Sequence, residues 1–211
     1  DQGFSNKALP YAFQSIFRNN FMFKLDEPVT EPAYYRNITD ICLQAKDEDQ
    51  IHFILNTPGG LFSGLSTILD AMARTDALTV AIIQGDCSSA GSIIALHADV
   101  VDVGPYATML CHQVSYGSAG KDADVVAHVN HTTKQASKLV RDTYEGFMSE
   151  SEIDLLLEGK QFYFDAEEIV TRLEARDEYR DAQIEAMQEQ AAVEDSSPVP
   201  KPTKKTPKPK E

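Results

Sequence analysis

Short apolar segments alternate with amphipathic stretches along the first 160 or so residues, and this alternation limits the chain to a mainly parallel sheet joined by crossover helices. Residues 21–25 form an apolar run that stops at Asp26-Glu27-Pro28, as a strand stops in a turn. Over residues 31–47, Tyr35, Ile38, Ile41, Cys42 and Ala45 fall on one helical stripe. A strand over 51–55 closes on Asn56-Thr57-Pro58-Gly59-Gly60. A helix over 62–74 then carries Leu65, Ile68, Leu69 and Met72 at helical spacing. The pattern predicts a strand over 78–83, a small-residue turn, and a buried helix over 90–98. Strands over 100–103 and 108–111 follow, then helices over 122–148 and 150–158. No internal repeat is present.

Composition bounds what such a chain does. Its 211 residues, 42% of them apolar, suit one domain with a packed core and a tail. We divide the chain into an N-terminal segment (1–20), a main domain (21–173), a charged helix (174–194) and a disordered Lys/Pro-rich tail (195–211). The formal charge is −14, yet from Ser196 onward five lysines face one glutamate, so the preceding body carries −18. An acidic body repels phosphate backbones, which argues against a nucleic-acid partner. No run of 18 apolar residues is present, so no membrane span is expected. The opening Asp1-Gln2-Gly3-Phe4-Ser5 lacks signal-peptide character and an initiator methionine, as in a processed or partial chain. Three irregularly spaced cysteines (Cys42, Cys87, Cys111) make neither a disulfide framework nor a metal site, and point to a reducing, cytoplasmic compartment.

Three short elements carry possible chemistry. Gly85-Asp86-Cys87-Ser88-Ser89-Ala90-Gly91-Ser92 joins an apolar strand to an apolar helix. A serine there exposes its hydroxyl at a helix N-terminus, whose partial positive charge favours an oxyanion. The full G-x-S-x-G elbow is not met, because Cys87 stands at the first glycine position. Thr57-Pro58-Gly59-Gly60 leaves backbone N–H groups unobstructed. His112, at the end of a short apolar strand, is of the right type for a general base near neutral pH. Singly, each has a commoner explanation: a capping serine, a turn, a structural histidine.

In combination and in this order, they resemble the Clp protease proteolytic-subunit family. Asn56-Thr57-Pro58-Gly59-Gly60 resembles its N-S-P-G-G, and Gly85 to Gly91 its G-x-A-A-S-x-G, which puts the nucleophile on Ser89 rather than Ser88 or Ser92. Met109 to Gln113 resembles M-I-H-Q, and the thirty-residue interval from Gly59 to Ser89 also fits. Gly120 to Lys138 resembles the family's handle helix. The similarity covers roughly residues 21–170.

The resemblance implies an α/β fold of the Clp-protease/crotonase type, with repeated β-β-α units, a mainly parallel sheet and a protruding handle helix. It implies a serine endopeptidase in which Ser89 attacks, His112 takes the proton, and the backbone N–H groups of Gly60 and Ala90 hold the oxyanion. Substrate would lie extended along Gly59-Gly60-Leu61. No cofactor or metal is called for. The implied partners are further copies of the chain in a ring, a peptide or unfolded-protein substrate, and an AAA+ unfoldase.

Three departures stand out. Gln161-Phe162-Tyr163-Phe164-Asp165-Ala166-Glu167-Glu168-Ile169 best matches the segment bearing the family's third triad member, and Gln161 stands where its aspartate belongs. Asp165 is the candidate substitute. Either another acid serves, or the Ser-His pair works weakly, or the chain is an inactive structural or regulatory subunit. The family's closing E-Y-G-L-[VI]-D gives way to Val170-Thr171-Arg172-Leu173, and residues 1–20 lack its axial-loop pattern. Such departures resemble divergent, phage-type members. An acyl-thioester enzyme of the wider crotonase-like superfold is the third reading, against which His112 and the Pro-Gly-Gly loop speak. Elsewhere, His97 reads as a core histidine, and His128 and His131 as surface residues one turn apart without a third metal ligand.

Overall fold

A computed structural model of the chain describes residues 18–115 and 117–195. The expected N-terminal segment before Arg18 and the Lys/Pro-rich tail from Ser196 lie outside the described residues. In order, the described chain forms β1 (Asn20–Leu25), α1 (Arg36–Gln44), β2 (Gln50–Thr57), α2 (Phe62–Arg74), β3 (Leu78–Ser88) and α3 (Ala90–His97). Then follow β4 (Val100–Val103), β5 (Thr108–Cys111), α4 (Asp122–Tyr144), α5 (Glu150–Leu157), β6 (Phe162–Asp165) and α6 (Ala166–Asp195). A 3-10 turn over Pro32–Tyr35 leads into α1.

The sheet order is β1-β2-β3-β5-β6, with β4 also paired to β3. Every pairing is parallel except β5–β6, so the fold is α/β with a mainly parallel sheet. The eleven-residue β3 serves two partners in succession. Val80–Ile83 pairs with β4, and Asp86–Ser88 with β5. The handover follows the Gly104 N–H, which donates to the Ile83 carbonyl (2.8 Å), after which the chain returns as β5. Phe53, Leu55, Ile83 and Ile94 are fully buried at the centre. Helix α3 is buried from Ala90 to Leu96, as an all-apolar helix must be, and packs on β2 and β3.

Three boundaries differ from the sequence pattern. Strand β3 continues through Gly85–Ser88, where a turn was expected, because ladder pairing to β5 uses backbone and tolerates small side chains. The four-residue β6 was not anticipated, since one antiparallel edge strand leaves almost no periodic signal. Helix α6 starts at Ala166 rather than Glu174, with the Asp165 carboxylate accepting the Glu168 N–H at 3.0 Å as its cap. The 23-residue α4 spans about 35 Å and buries only residues near its C-terminal end, Ala136, Val140, Thr143 and Tyr144.

The C-terminal edge is held by Arg172. Its guanidinium donates to both oxygens of Glu152 (3.0 and 2.8 Å), to Glu168 (3.0 Å) and to the Phe147 carbonyl (3.2 Å), and it lies over the Phe164 ring. Glu152 also closes a capping box with Ser149 at the start of α5. The bidentate Arg172 contact and the Ser149 N–H lower the Glu152 pKa from 4.5 to about 2. A lowered carboxylate pKa stabilises the fold above its unfolded value, and that contribution fades as pH falls from about 4.5 towards 2. Urea midpoints measured across this range should fall more steeply for the natural chain than for Glu152→Gln, which keeps an acceptor but cannot titrate.

Candidate active site

The loop after β2 and the junction after β3 are built against each other. Thr57 is fully buried; its hydroxyl donates to the Glu27 carbonyl (2.8 Å) and accepts the Gly59 N–H (3.2 Å). Val29 runs alongside: its N–H donates to the Gly59 carbonyl (2.8 Å), and its carbonyl accepts the Leu61 N–H (2.7 Å). Backbone groups alternate sides along an extended strand, so Gly60 turns its own N–H and C=O away from Val29. Asn56 reaches across, its Oδ1 accepting the Asp86 N–H at 3.0 Å.

Ser89 has φ 56° and ψ −118°, and it alone among the described non-glycine residues has a positive φ. Such a conformation costs on the order of 1–3 kcal/mol and persists where surrounding contacts over-determine it. Here they do. The Ser89 N–H donates to the Leu110 carbonyl (2.9 Å), and its own carbonyl accepts the Ser92 hydroxyl (2.7 Å) and the Ile93 N–H (3.3 Å). Ala90 opens α3, so its N–H has no partner within the helix and sits at the positive end of the helix dipole.

Glycine is required where the two segments meet. A Cβ on Gly59 would fall 2.6 Å from both the Ser88 carbonyl oxygen and Ser89 Cβ, and 2.8 Å from the Ala90 nitrogen. On the far side, a Cβ on Gly91 would fall 2.9 Å from the Thr57 methyl.

Strand β5 leads into His112. Its register pairs Ser88 with Leu110, so His112 emerges beside Ser89 at the same end of the sheet. Gln113 anchors the following segment by donating to the Leu157 carbonyl at 2.8 Å. Ser89, Ala90, Gly60 and His112 line one cleft of about 240 Å³ whose apolar wall is formed by Phe62, Leu65, Ile93 and Val114. The other two serines of the junction are engaged elsewhere: Ser88 donates to the Asp86 carboxylate, and Ser92 is fully buried. Of the expected backbone binders, Gly59 and Leu61 spend their carbonyl and N–H, respectively, on Val29, whereas Gly60 faces the cleft.

The β5–β6 register separates the two candidates for a third member. Cys111 pairs with Phe162, so one further step sets Gln161 across from His112. Asp165 pairs with Thr108, four residues back from His112, or about 13 Å at roughly 3.3 Å per residue. Its carboxylate caps α6. Gln161 is exposed and its Oε1 accepts the Tyr163 hydroxyl at 3.0 Å.

Beneath the cleft lies a polar cluster with no sequence signal, because its members are far apart in the chain. The Tyr144 hydroxyl, fully buried at the end of α4, meets Ser92 Oγ at 2.8 Å. Burial pushes the Cys111 thiol up to about 12, and raises the Cys87 thiol and the Tyr144 phenol well above their ordinary values, so all three stay protonated. All three cysteines are free and buried.

At the far end of α3, Arg176 is buried and donates to the Leu96 carbonyl, while its Nε has no partner among the described residues. Burial lowers its pKa to about 10. His97 is exposed rather than in the core, its ring Nδ1 pairing with the Ile93 carbonyl at 2.8 Å. His128 and His131 stand exposed on α4, and among the described residues no cluster of three metal-ligating side chains includes them.

The site thus lies outside the carboxyl ends of β2, β3 and β5, where open parallel sheets commonly place theirs. The family model for Clp protease matches residues 8–171, and the chain belongs to that family. The ATP-dependent Clp protease proteolytic subunit 1 of Cutibacterium acnes is 31% identical over 120 residues, which are 54% of this chain and 55% of that protein. The chain therefore matches about half the length of this curated relative. No helix among the described residues is long and apolar enough to cross a membrane.

Gly59→Ala should lower stability by at least about 1–3 kcal/mol, the usual scale for a side chain forced to positive φ, with a further loss from its clash with the Ser89 junction. Urea denaturation of the two chains measures it.

Proposed function

We propose that this chain is a serine endopeptidase acting through a Ser89–His112 acyl-enzyme. The observation that carries the reading is the convergence of a strained serine, a histidine and the Ala90 and Gly60 backbone on a single cleft. Ser89 Oγ attacks the peptide carbonyl as His112 takes its proton. The oxyanion is held by the N–H groups of Gly60 and Ala90. His112 then protonates the departing amine, and water, deprotonated by His112, releases the acyl group and restores Ser89. This chemistry uses no metal or organic cofactor.

An extended peptide fits the outward-facing Gly60 backbone by strand addition, flanked by Gly59 and Leu61. The wall of Phe62, Leu65, Ile93 and Val114 suits an apolar side chain beside the scissile bond. We further propose a cytoplasmic ring of identical subunits, fed with unfolded protein by an AAA+ unfoldase. That proposal draws on family membership and on a relative named as ATP-dependent. A domain over 21–173, a charged helix over 174–194 and a tail beyond remain our division of the chain.

Gln161 favours the second reading, a weak or inactive structural or regulatory subunit. An amide can hold an imidazole but cannot stabilise the imidazolium of the transition state. In the Ser-His-Asp template, exchanging the acid for its amide costs about 10⁴ in kcat.

Labelling with a fluorophosphonate probe separates the two. The intact chain should label, while Ser89→Ala and His112→Ala should not; a folded chain that stays unlabelled leaves the non-catalytic subunit as the better account. Gln161→Asp should speed labelling at least about tenfold, a modest part of the factor known for the reverse change. An unchanged rate would remove residue 161 from the mechanism.

A further inference from the structure

Ser89 holds a backbone conformation that its own sequence does not favour, and hydrogen bonds from its N–H and to its carbonyl help to hold it. The Ser92 hydroxyl has one proton, and it goes to the Ser89 carbonyl at 2.7 Å. The 2.8 Å contact between Ser92 Oγ and the Tyr144 hydroxyl must then have tyrosine as donor. Both groups are buried, with 0% of Ser92 and Tyr144 exposed, so water does not compete for these bonds.

We infer that Tyr144 is a positioning residue for the proposed hydrolysis: its hydroxyl braces the Ser89 main chain through Ser92. The nucleophile is thereby tied to a buried oxygen carried by another element, the last residue of α4. The inference rests on the peptidase reading of Ser89 and His112. It reaches beyond that reading because Tyr144 touches neither substrate nor reacting atoms.

Removing the phenolic oxygen alone tests it. Tyr144→Phe keeps the ring in the core, and Ser92→Ala cuts the same path from its other end should the first variant fold poorly. With the full-length chain, each change should slow fluorophosphonate labelling about 10- to 100-fold, the scale expected when a reacting group drifts by a fraction of an ångström to one ångström. On a peptide substrate kcat per active site, with sites counted by labelling run to completion, should fall while KM holds; general loss of stability would instead lower the number of sites that label.

The double variant should label no more slowly than the slower single one, because both changes break one path. Labelling of Tyr144→Phe at the natural rate overturns the role, as do losses that multiply in the double variant. A natural chain that never labels fails at the earlier step and removes the peptidase reading with it, so the two failures are told apart by the parent protein.

Discussion

Everything at the site depends on one close approach, that of the Gly59 backbone to the Ser89 junction. With 2.6 Å available where a side chain would begin, only glycine lets the β2 loop lie against the start of α3. That contact brings Gly60 and Ala90 to the wall of one cleft. It is held from behind by Val29 and Thr57, and from above by Asn56 on the Asp86 N–H. The strain at Ser89 is sustained by this packing and by hydrogen bonds at both its N–H and its carbonyl, rather than by any preference of serine for positive φ.

The double use of β3 supplies the remaining geometry. Because β4 takes only its first half, the second half is free to pair with β5, and that pairing puts His112 and Ser89 on the same cleft. The antiparallel β6 then extends the same logic, its register continuing to Gln161 across from His112. Asp165 lies four positions along the ladder and caps α6.

At the C-terminal edge polar groups join the elements. Arg172 ties α5 and α6 through Glu152 and Glu168, with its face on Phe164. One turn on, Arg176 enters the interior and meets the end of α3 at Leu96. A cation there complements the negative end of the helix dipole, which offsets part of the cost of burying it without a carboxylate partner. Beyond that point α6 is exposed through residue 188, with the apolar Ile184 and Met187 among the exposed side chains.

Much of this was legible in the chain. Strand–helix alternation determined the parallel sheet, since apolar periodicity is local and survives any rearrangement of the surroundings. The Pro-Gly-Gly loop, the Ser89 junction and His112 were also readable, because their residue types are constrained by backbone geometry within a few positions. The extension of β3, the short β6 and the choice between Gln161 and Asp165 were not, as they follow from strand register, which no single segment encodes. Tyr144 was the least visible. It lies 52 residues from Ser92, and only the packing of α4 onto α3 brings the two hydroxyls within hydrogen-bonding distance. Local chemistry thus selected the groups, while tertiary packing decided which of them meet, because a hydrogen bond depends on a separation of tenths of an ångström that sequence spacing does not specify.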